Sequence, residues 1–203
     1  TTAAIPGMLT GRSVSELRSS LPDEIFRIPP QIPTLAERFQ EAGFETAGFV
    51  TALNTAKGYG YRRGFDHFVE LTRQYVDTAQ QTVTRAEAWL SEHPKGKRFL
   101  WLHLFDPHAP YDHYPEFGFG RADVDRYDST LAQMDRFLAP FLERLSGPEQ
   151  ALVLLSADHG ESFGEHGHHK HGQDLYDPAM RVPFVLRGPG LQARRSETLA
   201  STL

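Results

Sequence analysis

Apolar positions along this chain recur every three to four residues in some stretches and gather into short continuous runs in others, so helices and strands take turns. Thr34 with Glu37 three positions on forms a capping box, Leu35, Phe39 and Ala42 make an apolar stripe, and Gly43 stops it, which predicts a helix over 34–43. Residues 45–51 read as a strand. Val76, Ala79, Val83, Ala86 and Leu90 return to helical spacing, with Asp77 able to cap and Pro94 just beyond the end, giving a helix over 77–93. Residues 99–105 form the next strand, and the run Phe99-Leu100-Trp101-Leu102 predicts burial on both faces, the habit of parallel strands covered by helices. Val124, Tyr127, Leu131, Met134, Leu138, Phe141 and Leu145 mark a long helix that Pro140 is expected to bend or restart. Strands at 151–156 and 183–187 complete the series. This order implies one α/β domain, layered α-β-α around a mainly parallel sheet.

Composition adds bounds to that picture. With 203 residues, 39% hydrophobic and 23% charged, the chain can bury a core of its own. Its formal charge of −5 lacks the basic surplus of a phosphate-binding surface, so nucleic acid is not an expected partner. There is no cysteine, which excludes disulfides and thiolate metal sites. No apolar run reaches membrane-span length. The chain opens on Thr1-Thr2-Ala3-Ala4-Ile5-Pro6 without an initiator Met, and the expectation is an internal piece of a longer polypeptide; its compartment is not readable.

The chemistry concentrates where Leu152-Val153-Leu154-Leu155-Ser156 runs into Ala157-Asp158-His159-Gly160-Glu161. Ligands of open α/β sheets bind beyond the carboxyl ends of strands, which puts Asp158 and His159 in the expected crevice. A carboxylate beside an imidazole suits zinc or manganese, and further carboxylates would suit calcium or magnesium. Taken alone, the pair reads first as a capped turn with a solvated histidine. His166, His168 and His169 form a His-rich loop of the kind that binds metals adventitiously, and His103 reads as a satisfied core histidine. Lys57, Arg62 and Arg63 could meet an anion but read first as a solvated loop, and Trp89 and Trp101 fall on core-facing positions.

Several ordered blocks carry a family resemblance. Asp158-His159-Gly160-Glu161-Ser162-Phe163-Gly164-Glu165-His166-Gly167, followed by His171-Gly172, Leu175-Tyr176 and Arg181-Val182-Pro183, is similar to the metal-binding segment of the sulfatase family within the alkaline phosphatase superfamily. Thr34-Leu35-Ala36-Glu37 through Gly43-Phe44-Glu45-Thr46-Ala47-Gly48-Phe49-Val50, with Arg63-Gly64-Phe65-Asp66-His67-Phe68, resembles the segment after the family's nucleophile. Phe105-Asp106-Pro107-His108-Ala109-Pro110-Tyr111 and Tyr127-Asp128 through Met134-Asp135-Arg136 resemble two further blocks in the expected order.

The resemblance implies an alkaline-phosphatase-like fold and a set of roles. Met8-Leu9-Thr10-Gly11 stands where the family has Leu-x-Thr-Gly, and counting back to the nucleophile lands on Thr1, with Thr2 adjacent. Asp158 and His159 match metal ligands, joined by Thr1; His108 matches a histidine on the sulfate or phosphate, and His171 a position held by Lys or His. Calcium, zinc or manganese would make the Thr1 hydroxyl a competent nucleophile, and the two histidines would stabilise the transferring anion or protonate the leaving group. Pro6 fits the first position of a helix whose amino end would also favour an anion.

Two departures matter. Formylglycine sulfatases need Cys or Ser where this chain has Thr1, and an intact threonine looks more like the phosphoethanolamine and phosphoglycerol transferases of the superfamily. The family's first strand, with its acidic metal ligand, would precede Thr1, and a C-terminal part would follow Leu203, so residues 1–203 are expected to be part of a catalytic domain. The expected activity is metal-dependent hydrolysis of sulfate esters or related phosphoesters. A transferase, or an inactive domain of the same fold, are the alternatives. Expected substrates are small anionic esters, such as a sulfated or phosphorylated sugar, aryl group or lipid head group, and the full polypeptide is expected to be extracytoplasmic or membrane-anchored.

Overall fold

Helices and strands alternate through a computed structural model that describes residues 4–18, 27–51, 59–71, 78–147 and 151–196. In order these are α1 (Ala4–Thr10), α2 (Val14–Arg18), α3 (Leu35–Glu41), β1 (Glu45–Thr51), β2 (His67–Leu71), α4 (Thr78–Glu92), β3 (Arg98–His103) and α5 (Asp123–Ser146). Then follow β4 (Val153–Ser156), β5 (Ser162–Phe163), β6 (His169–Lys170), α6 (Asp177–Met180) and β7 (Phe184–Arg187).

The strands β2, β1 and β3 form a parallel sheet in that order, with Phe49 of β1 in register with Val69 and Leu102. Alternation along β1 and β3 sorts the side chains onto two faces. Ala47 and Phe49, with Leu100 and Leu102, meet Val83, Ala86, Trp89 and Leu90 of α4 and Leu138 and Phe141 of α5. On the other face Trp101 packs against Ile5, Leu9, Ile28 and Tyr61, and Phe99 stacks on Phe39 of α3 with ring centroids 4.3 Å apart. The expected α-β-α layering is therefore present. Phe49 and Phe141 are each 1% exposed, and full burial of such a side chain contributes about 1.5–3 kcal/mol.

A polar network staples α3 to the sheet. The Thr34–Glu37 capping box forms as expected, and Glu37 also accepts from Arg63 Nε at 3.1 Å and Nη2 at 2.9 Å. Arg63 reaches the Pro29 and Ile32 carbonyls as well, so it is a structural clasp rather than a solvated or anion-binding residue. The guanidinium holds the Glu37 carboxyl below its ordinary pKa despite partial desolvation. Gly64 has φ +80°, and a Cβ there would overlap the Glu37 backbone nitrogen, so only glycine lets the loop approach α3. Next to it Thr46 donates to the Gly64 carbonyl at 2.6 Å and receives the Asp66 backbone N–H at 2.9 Å.

Some expectations are corrected. The residues of β3 are all half-buried rather than covered on both faces. β4 and β7 pair antiparallel, as a ribbon apart from the parallel sheet, with Leu154, Phe184, Val185 and Leu186 exposed. Pro140 does not interrupt α5; it is exposed, and the carbonyl it leaves free one turn back is on the side that water reaches. Pro6 is the third residue of α1 rather than its first. Val76 and Asp77 lie outside the described residues. Asp106 Oδ2, 27 residues from Ala79, accepts from the Ala79 N–H at 2.7 Å and the Thr78 hydroxyl at 2.6 Å and so caps the first described turn of α4. Among the described residues no helix is long and apolar enough to cross a membrane.

Candidate functional site

Chain segments leaving the carboxyl ends of β3 and β4 converge, as strand ends do in layered α/β proteins. After β4 the backbone turns at Asp158 and is pinned at Gly160, whose N–H donates to the Ala179 carbonyl at 2.8 Å. A Cβ on Gly160 would overlap the Pro178 carbonyl, so α6 can close against the turn only over a glycine. The short β5–β6 hairpin then brings the chain back to His171. After β3, Asp106 anchors the next loop to α4, and His108 follows two residues later, its ring stacked on Phe105 at 4.3 Å.

Four of the sequence-predicted residues meet here. His159 Nε2 lies 3.6 Å from Asp158 Oδ2, and both side chains are about four-fifths buried. The His171 ring stacks on His159 at 3.9 Å and meets the His108 ring edge-on at 5.3 Å. Each of these three rings is fixed through Nδ1 to an oxygen acceptor: His159 to the Gly160 carbonyl at 2.8 Å, His108 to the Ala109 carbonyl at 2.6 Å, and His171 to Glu161 Oε1 at 3.0 Å. Carbonyl and carboxylate oxygens only accept, so Nδ1 carries the hydrogen in all three and Nε2 is the nitrogen left for chemistry. Loss of hydration holds the His159 imidazole below its ordinary pKa, with the neighbouring His171 adding to this against opposing contributions from Gly160 and Asp158. A cavity of about 400 Å³ opens beside His108 and His171, lined also by Lys170 and Gln173.

The Asp158–His159 pair fits a divalent cation. Two donors each about 2.1 Å from a tetrahedral zinc sit about 3.4 Å apart, close to the spacing between these two atoms. Among the described residues no group of three or more His, Asp or Glu side chains converges as a complete cage, and Thr1 and Thr2 lie outside those residues.

The remaining histidines go elsewhere. His166 stacks on Tyr176 at 3.9 Å, His168 Nδ1 lies 3.8 Å from Asp174 Oδ2, and His169 is exposed on β6. His103 has its Nδ1 at 3.1 Å from the Thr51 carbonyl, the satisfied histidine expected, and desolvation lowers its pKa while the charge of Asp158 acts the other way. Lys57 lies outside the described residues and Arg62 is exposed. Sequence reasoning assigned no role to Glu161 or Tyr111, which are joined by a 2.8 Å hydrogen bond; the signal was their place within the Asp-His-Gly-Glu and Asp-Pro-His-Ala-Pro-Tyr runs.

Comparison with known proteins gives a consistent picture. A family model described as Sulfatase matches residues 1–203. The uncharacterized sulfatase YidJ of Escherichia coli (strain K12) is 25% identical over 193 residues, covering 93% of this chain and 36% of that protein. The Kdo(2)-lipid A phosphoethanolamine 7''-transferase of the same organism is 28% identical over 128 residues, covering 55% of this chain and 21% of the relative. Among solved structures, the C-terminal periplasmic domain of EcEptC from Escherichia coli, in complex with Zn, superposes with a TM-score of 0.66 at 18% identity, over 93% of this chain and 58% of that one. The chain thus spans about a third or less of the length of these two curated relatives.

Proposed function

The chain belongs to the sulfatase family, and on that premise we propose that it is part of the catalytic domain of a metal-dependent hydrolase acting on sulfate esters or related phosphoesters. The observation that carries this reading is the Asp158–His159 pair at the end of β4, with the free Nε2 faces of His171 and His108 beside it. Asp158, His159 and the Thr1 hydroxyl would hold the cation, completed by an acidic ligand from a longer polypeptide. Calcium, zinc and manganese are the candidates, and the zinc complex of the EptC domain favours the second. When bound, the cation would lower the pKa of the Thr1 hydroxyl and offset charge on the transferring group.

This chain's residues supply the rest. The Thr1 oxygen attacks sulfur or phosphorus as its proton passes to the Nε2 of His108 or His171, and the bond to the ester oxygen breaks. His108 and His171 act through Nε2: the ring that takes the Thr1 proton donates from it to the anion's oxygens and then passes it to the departing oxygen. Water then releases the group from Thr1. The substrate is a small anionic ester carried by a sugar, an aryl group or a lipid head group.

A transferase is the second reading. The threonine at the nucleophile position, the absence of any cysteine and the similarity to a phosphoethanolamine transferase favour it. In that case the second acceptor is a hydroxyl or amine of another molecule rather than water.

Assay of the full polypeptide with metal, on an aryl sulfate beside an aryl phosphodiester, tests both. Preference for the sulfate, lost in Thr1→Ala, is the expected result; preference for the phosphodiester shifts the assignment to phosphoryl transfer. Asp158→Ala should abolish activity and metal uptake, and full activity with normal metal content in that variant would sink the site assignment.

A further inference from the structure

Glu161 is the most enclosed acidic group at the site, its side chain 6% exposed, and both its oxygens are engaged. Oε1 accepts from His171 Nδ1 at 3.0 Å and Oε2 accepts from the Tyr111 hydroxyl at 2.8 Å. Tyr111 is itself fixed: it is 8% exposed, and its ring sits 5.7 Å from both Tyr127 and Phe163, which pack edge-on against each other at 5.1 Å. Desolvation and the hydrogen bond to Glu161 raise the Tyr111 pKa, so its hydroxyl stays protonated and remains a donor. The carboxylate is therefore clamped from one side by a phenol in an aromatic box, and presents its other oxygen to a single imidazole.

That arrangement differs from the hydrogen bonds of His108 and His159. Those two rings bond a backbone carbonyl one residue along, which the local turn supplies. His171 lies ten residues from Glu161, and the ring sits between His159 and His108, where a small rotation would carry its Nε2 away from the cavity. A carboxylate behind an imidazole fixes which nitrogen bears the hydrogen and the direction of the other one.

Resting on the proposed role of His171 at the anion, we propose that Glu161, braced by Tyr111, is a positioning residue that keeps His171 Nε2 aimed at the transferring group. Neither Glu161 nor Tyr111 touches substrate.

The test is a double-mutant cycle in the metal-loaded full polypeptide, with turnover of the preferred aryl ester as readout. Glu161→Ala is expected to lower kcat about 10–100-fold with KM within about twofold, the usual cost of losing an outer partner of a working imidazole. Glu161→Gln, which keeps an acceptor oxygen, should recover part of the loss, and Tyr111→Phe should show a smaller one. In a His171→Ala background Glu161→Ala should cost nothing more, because both changes remove one unit. A wild-type kcat in Glu161→Ala, or a further loss in the His171→Ala background, overturns the inference alone. Wild-type turnover in His171→Ala removes the underlying reading and this inference with it. Should Glu161→Ala fail to fold, E161Q carries the same cycle.

Discussion

The parallel sheet with its helices and the β4–β7 ribbon are built on different terms. In the sheet, Phe49, Ala86 and Phe141 are closed off from water and the polar groups of Thr34, Glu37, Thr46, Arg63 and Asp66 satisfy one another. Leu152, just before the ribbon, and Leu154 within it are 67% and 57% exposed, and all four residues of β7 face solvent. Yet it is from the end of the ribbon that the candidate site emerges. Burial and the candidate chemistry are thus weighted to different regions, and the Asp158–His159 turn is held by hydrogen bonds at Gly160 rather than by burial in the main core.

Substitutions can break that contrast or sharpen it. The largest expected effect is Phe49→Ala or Phe141→Ala, each lowering stability by about 3–5 kcal/mol in denaturant melts, since either opens a cavity between sheet and helices. Next come the two glycines. Gly64→Ala forces a positive φ and a backbone overlap at once and should cost about 2–3 kcal/mol of stability. Gly160→Ala should instead strip activity from the full polypeptide while moving its melting temperature little; a large drop in melting temperature there would erase the distinction between the regions. A smaller effect concerns acid. The folded pKa of Glu37 lies below its unfolded value of about 4.3, so the stabilisation is present above that value and is lost as pH falls through the folded one. Melts from pH 6 to 3 should fall less steeply in Glu37→Gln. The smallest is Leu154→Ser, expected within about 0.5 kcal/mol of wild type, because that side chain is already in water.

What could be read from the chain was whatever the chain decides locally. The Thr34–Glu37 box, the helical stripes of α4 and α5 and the apolar run of β3 all act within a few residues, and all appear where the pattern put them. The Asp158–His159 pair was legible for the same reason. What escaped needed distant partners. The cap of α4 comes from Asp106, the clasp of Arg63 closes over 26 residues onto Glu37, and Glu161 meets Tyr111 across 50. The β5–β6 hairpin turns through His166 at φ +52° and leads to Lys170 at φ +68°, conformations uncommon outside glycine that no local pattern signals here. The exposure of β7 was hidden for a related reason: the apolar run Phe184-Val185-Leu186 announces a strand, not what lies against it.

The carboxylate of Asp106 holds the start of α4, and the backbone that carries it continues within two residues to His108. One imidazole of the site is therefore hung from a helix whose apolar face, Val83, Ala86, Trp89 and Leu90, lies in the main core. Heating that frays the first turn of α4 would release this histidine while β1 and β3 were still paired, so catalytic competence would fail at a lower temperature than the sheet. On the proposed role of His108, the helix would serve as a thermal fuse for the site.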